Sequence, residues 1–224
     1  MTTKIVSVLL LSLIFTTAVP VHAANPPVAA YSNHQDDEED EPRFFRERYS
    51  SSVRRAIDKL DEDIVESMPV PVLFVSYARI YPDFGDPRGG GTREHEGQDI
   101  IAPLRSFIVS PTDAVVTRTG KGGSAGIYVY TANPGGETFR YMHLDEIADG
   151  IKTGTVLKAG DLIGFVGNTG NASGGAHHLH FEIRDGREAI DPHPRIDGTF
   201  TNAELIRSLT AIVKVLQEQL RDLD

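Results

Sequence analysis

Three short stretches carry residue types that can hold and use a metal ion: HEGQD at His95–Asp99, YMHL around His143, and HLHFE at His178–Glu182. Imidazole nitrogens and carboxylate oxygens are typical ligands of a catalytic zinc, which takes three protein ligands and keeps one position for water. Residues two apart on a strand share a face, so His178 and His180 point one way while Leu179, Phe181 and Ile183 point into a core. His177 then faces the other side and is not expected to be a ligand. Gly97 gives the backbone freedom to turn, which would let His95 and Asp99 converge. His95, Asp99 and one member of the His178/His180 pair supply three ligands, and the spacing does not say which member. His143 and the other member of the pair are left to move a water proton and to stabilise developing charge. A bound metal lowers the pKa of water from near 15.7 to about 7, so the set points to hydrolysis at neutral pH.

These residues need a scaffold. From Val72 to about Pro194 short β-branched or aromatic runs alternate with Gly, Pro, Asn and Asp. The runs at Val72–Tyr77, Asp113–Thr119, Gly126–Ala132, Asp161–Gly167 and His178–Arg184 read as strands. The expected fold is mainly β, an antiparallel roll or sandwich over residues 72–195, flanked by N- and C-terminal helices. Val53, Ile57, Leu60 and Ile64 predict an amphipathic helix over Ser51–Glu66, in a segment (51–68) ended by Met68-Pro69-Val70-Pro71. That stripe packs on the catalytic domain or binds a partner. A second helix is expected over 201–224, opened by Thr201-Asn202-Ala203-Glu204, a capping-box spacing. Its Ile206, Leu209, Val213, Leu216, Leu220 and Leu223 follow a heptad seam. A seam this short docks on the domain or on the earlier helix, or pairs with a second chain, and the sequence leaves these open.

At 224 residues the chain has room for one catalytic domain with extensions. The net charge of −10 and the lack of a basic stripe argue against nucleic acid as a partner. Lys4, the apolar run Ile5–Phe15 and Val21-His22-Ala23 read as a secretory signal peptide over 1–23. No second apolar run of about 18 residues follows, so no transmembrane anchor is expected. Export to the periplasm is favoured over an extracellular or cell-wall location. Residues 24–50, with Asp36–Glu41 all acidic, read as a disordered linker; they lack the glycine and final glutamate of a calcium loop. With no cysteine, disulfides cannot stabilise the exported protein.

Over Tyr77–Pro194 the chain closely resembles the M23 family of zinc metallopeptidases, the lysostaphin or LytM type. The matching text is FGDPRGGGTREHEGQDIIAP at Phe84–Pro103, GGSAGIYVY, FRYMHL at Phe139–Leu144, GTVLKAGDLIGFVGNTGNASGG at Gly154–Gly175, HLHFEIR and IDPHP at Ile190–Pro194. The resemblance implies a LytM-type β roll with a groove over one zinc ion, and hydrolysis of stem or cross-bridge peptides in bacterial peptidoglycan. It further implies that His95, Asp99 and His180 are the zinc ligands and that His143 and His178 are the catalytic histidines. His177 stands where relatives often have proline, and the tyrosine that several carry upstream of the first ligand is replaced by the glycines Gly89–Gly91. Some family members act instead as regulators that activate another wall hydrolase. They tend to lose ligands, whereas every such position is filled here.

Overall fold

The computed structural model describes residues 49–221. The expected signal peptide and nearly all of the acidic linker lie outside the described residues, as do residues 222–224 of the C-terminal segment.

Eleven strands are found among the described residues, and all named pairings are antiparallel. A small hairpin joins β1 (Pro87–Arg88) to β2 (Arg93–Glu94). The others form one sheet: β3 (Gln98–Ile101), β4 (Phe107–Val109), β5 (Ala114–Gly122), β6 (Gly126–Ala132), β7 (Thr138–Ile147), β8 (Val156–Leu157), β9 (Leu162–Val166), β10 (His178–Asp185) and β11 (Glu188–Ile190). The main path runs β11-β10-β7-β6-β5-β8. β3 pairs with the first half of β10, and β9 links the second half of β7 to β4.

The fold is thus mainly antiparallel β with flanking helices, and four of the five strand runs read from sequence are strands. Val72–Tyr77 is the exception. Val72 makes one isolated bridge to Ile108, Phe74 turns to φ 67° and is exposed, and Tyr77–Arg79 is a short 3-10 turn. Leu73 and Val75 spend their N–H groups on Phe107 O and on the carbonyl of Val72, so no ladder can form.

Alternation places the core. Leu179, Phe181 and Ile183 of β10 are fully buried with Phe139 and Tyr141 of β7, Ile100 of β3 and Leu144. Phe181 meets Phe139 edge to face at 5.4 Å and Tyr141 at 5.3 Å. This layer holds β3, β7 and β10 in fixed register, and their other face is free for chemistry.

Helix α1 is shorter than its stripe suggests, Ser51–Ile57, and buries Val53. Asp58, Asp61, Glu62 and Asp63 would crowd the negative end of a longer helix. The Asp61 carboxylate instead accepts the Asp63 N–H, and its carbonyl accepts Gly135 N–H. α2 (Asn202–Arg221) begins with the expected capping box: Thr201 N–H donates to Glu204 Oε2 at 2.7 Å and Glu204 N–H to Thr201 Oγ1 at 3.4 Å. It docks through Ser208 and Ile212, with Ser208 Oγ donating to Gly160 O. The described seam residues Ile206, Leu209, Val213, Leu216 and Leu220 are exposed. No described helix is long and apolar enough to cross a membrane.

Candidate active site

β3 and β10 pair with His180 opposite Asp99 and His178 opposite Ile101. Directly opposed residues share a face, so Asp99 and both histidines stand on the side away from the core. His95 is added by the segment before β3, tied through its N–H to Asp86 O and through its carbonyl to Gly85 N. Three side-chain atoms converge. His95 Nε2 lies 2.9 Å from His180 Nδ1 and 3.1 Å from Asp99 Oδ1, and His180 Nδ1 lies 2.9 Å from the same oxygen. A tetrahedral zinc site with bonds of about 2.0–2.1 Å has ligand edges of about 3.3 Å, so the triangle fits a metal with little adjustment. His95, Asp99 and His180 are the cluster of described residues that could hold one.

Gly97 acts differently from the sequence expectation. Its φ is not left-handed; space is what it supplies. A Cβ there would sit 2.7 Å from Phe181 O and 2.8 Å from His180 Nε2, so only glycine lets the His95–Asp99 segment cross this close to β10.

Each imidazole is oriented by its outer nitrogen. His95 Nδ1 faces Asp83 O at 2.9 Å, His143 Nδ1 faces Thr169 O at 2.9 Å, and His178 Nδ1 faces Ala176 O at 2.9 Å. A carbonyl only accepts, so these nitrogens donate to it and turn Nε2 inward as the atom open to a metal or to proton exchange. His180 is reversed: Nε2 donates to Glu182 Oε1 at 3.0 Å, leaving Nδ1 for the cluster. Glu182 in turn accepts from Arg184 Nε at 2.8 Å and from Arg140 Nη1 at 3.4 Å. Such outer contacts fix ligand tautomers and raise ligand basicity.

His143 reaches the site through an irregularity. On β7, Tyr141 faces the core and Met142, opposite His180, faces the site. Strict alternation would return residue 143 to the core. Instead His143 takes φ 64°, the register against β6 shifts across it, that against β9 shifts just after Leu144, and Leu144 points inward. Two consecutive side chains thereby face the site, with the His143 ring 5.1 Å from His178 and 5.7 Å from His180. The left-handed backbone of a non-glycine residue is strain kept in place by its surroundings, here His143 N–H to Ala125 O and Nδ1–H to Thr169 O.

The electrostatics divide these groups. Burial disfavours the His95 cation, yet bonds to Asp83 and Asp99 outweigh it and raise the group to about 9. Burial opposes the Asp99 charge too, but bonds from His180 and His95 hold it far below the usual carboxylate range. His180 is raised, its burial overcome by Asp99 and Glu182. Glu182 is lowered to about 2, its burial outweighed by His180, Arg184 and Arg140. Burial, reinforced by the His180 and His178 charges, pushes His143 down to about 4, so it is neutral at pH 7 and can accept a proton. A metal cation would take over the role of the protons shared among His95, His180 and Asp99.

The structure therefore brings His95, Asp99, His143, His178 and His180 into one cluster. The His177 ring takes no part in it, and its carbonyl pairs with Ala102 N–H. Sequence reasoning missed Glu182, Asp83 and Arg88. Glu182 was within reach, since it shares the His178/His180 face by the same alternation. Asp83 Oδ1 accepts from Gln98 Nε2 and Asp99 N–H, and Arg88 Nη2 bridges Asp83 at 3.1 Å and Asp99 at 3.4 Å.

Residues 93–192 match the model of peptidase family M23. That region belongs to the family. The M23 region is 34% identical over 97 residues to peptidoglycan DD-endopeptidase ShyC of Vibrio cholerae, covering 43% of this chain and 22% of ShyC. It is 33% identical over 123 residues to an L-Ala–D-Glu endopeptidase of Bacillus subtilis, covering 50% of this chain and 38% of the relative. The chain thus spans well under half the length of these relatives. Among solved structures, LytU is 33% identical, with 51% of this chain and 81% of LytU covered and a TM-score of 0.46.

Proposed function

We propose that this chain is an exported, zinc-dependent endopeptidase that hydrolyses peptide bonds of bacterial peptidoglycan. The observation that carries the reading is the convergence of His95 Nε2, His180 Nδ1 and Asp99 Oδ1 within 3.1 Å of one another, beside two more imidazoles with fixed tautomers. His95, Asp99 and His180 are assigned as zinc ligands, and His143 and His178 as the proton-handling pair. Two nitrogens and one carboxylate oxygen suit zinc, which would supply Lewis acidity toward a peptide carbonyl and toward water. His143 and His178 each hold Nδ1 against a backbone carbonyl and turn Nε2 toward the site from adjacent strands, so the pair can take the proton of an attacking water and return it to the departing amine. Two named relatives support the substrate class, a peptidoglycan DD-endopeptidase and an L-Ala–D-Glu endopeptidase. The signal-like segment at 1–23 supports export, with the periplasm as the favoured place. The exposed seam of α2 is the surface on which a second chain would pack.

The test is digestion of purified sacculi by the purified mature protein, with mass analysis of the fragments and a chelated control. The expected result is about one zinc per chain and release of peptide fragments that chelation abolishes. Zinc-loaded protein that releases nothing would overturn the enzyme reading in favour of a regulatory one.

A further inference from the structure

The face that carries the metal-ligand cluster does not end at β10. Across the sheet Glu182 stands opposite Arg140, Arg140 opposite Tyr130, and Tyr130 opposite Arg118. Opposed residues share a face, so these four form one row from β10 to β5 on the side of His180. Side-chain contacts make it continuous. Arg140 Nη1 reaches Glu182 at 3.4 Å and its guanidinium lies 4.9 Å from the Tyr130 ring centre. Tyr130 meets Tyr128 at 4.7 Å, and Arg118 lies 5.6 Å over Tyr128.

The two arginines differ. Arg140 is committed to the buried Glu182 carboxylate. Arg118 is exposed, and among the described residues it makes no ion pair; its charge rests over a tyrosine ring and points to solvent. Tyr128 is laid flat by design of the strand beside it: a Cβ at Gly120 would sit 2.5 Å from Tyr128 Oη, so the ring lies where a side chain on β5 would stand. In a protein of net charge −10, this is an aromatic shelf with an uncommitted cation beside the candidate active site.

We propose that the Tyr130–Tyr128–Arg118 shelf is a substrate subsite that binds a free carboxylate of an anionic peptide, with Arg118 as its charged contact. The inference rests on the reading of the protein as a peptidoglycan endopeptidase and adds what part of the peptide it selects. Strands about 4.8 Å apart set Arg118 roughly 14 Å across the sheet from β10, or about four residues of extended peptide from the bond that is cut. The tyrosines supply a flat surface for the intervening backbone, and the guanidinium fork matches a carboxylate.

The experiment compares two peptides built around the bond that sacculus digestion identifies, each with a Glu about four residues from that bond, one with the free Glu carboxylate and one with that group as the carboxamide. Cleavage is measured with the zinc-loaded full mature chain, and direct binding with its zinc-loaded His178→Ala form. The carboxylate peptide should show the lower KM. Arg118→Ala should raise that KM about fivefold with kcat unchanged and leave the amide peptide alone. Arg118→Glu should reverse the preference. In the His178→Ala background the carboxylate peptide should bind more tightly, and adding Arg118→Ala should erase the difference. Equal handling of the two peptides by wild type, or an unchanged ratio in Arg118→Ala, overturns the subsite. A wild-type chain that cuts neither peptide but binds the carboxylate form through Arg118 keeps the subsite and overturns the endopeptidase reading.

Discussion

Strand β10 and helix α2 both advertise themselves by apolar periodicity, yet only in β10 does the period say what each face does. In β10 the even partition is complete: Leu179, Phe181 and Ile183 are fully buried, and the intervening His178, His180 and Glu182 converge on the site. In α2 the heptad residues share a face as expected, but that face is exposed, and the helix docks through Ser208 and Ile212 instead. A strand inside a sheet has two faces fixed by its neighbours. A helix on a surface can be rotated, and a polar contact such as Ser208 to Gly160 can decide the rotation.

The contrast can be broken or sharpened by substitution. His180→Ala should lose both bound zinc and peptidoglycan cleavage, whereas His178→Ala should keep zinc and lose turnover; metal analysis beside a sacculus digestion reads both. Should His178→Ala be the variant that loses metal, the ligand assignment within the pair is reversed. Phe181→Ala, on the core side of the same strand, should cost about 3–5 kcal/mol in denaturant unfolding. Glu182→Gln keeps the shape of the group that orients His180 but removes its charge, and should weaken zinc binding by about 10- to 100-fold in a competition titration. On α2, Ile212→Ala should cost about 2 kcal/mol, while Leu216→Ser on the seam should stay within about 0.5 kcal/mol in dilute protein. A clear concentration-dependent loss of stability in Leu216→Ser would mean that the seam is covered by a second chain.

The same physics explains what was legible in the sequence. The facing of His178 and His180, the four strands and the capping box follow from local periods, and the structure carries them. The family resemblance led to the choice of His180 over His178 as ligand, which spacing alone left open. His143 was found by residue type and resemblance, since its side-chain direction depends on a left-handed residue that no period encodes. Asp83 was hidden because its main-chain carbonyl, twelve positions before His95, makes the orienting contact. The stripe continued past Ile57 only on paper, because four carboxylates follow the last turn of α1. Val72–Tyr77 had strand composition without a partner for its backbone.

One extra residue in β7 sets regularity and reactivity against each other. Removing Met142 would restore simple alternation around Tyr141, His143 and Leu144, and the strand would pleat without a left-handed residue. His143 would then stand directly across from His180, one strand position away from the place where its ring now lies 5.1 Å from that of His178. A smoother sheet would displace the imidazole proposed to move the proton, so backbone regularity and the proposed chemistry pull in opposite directions at this single point of the strand.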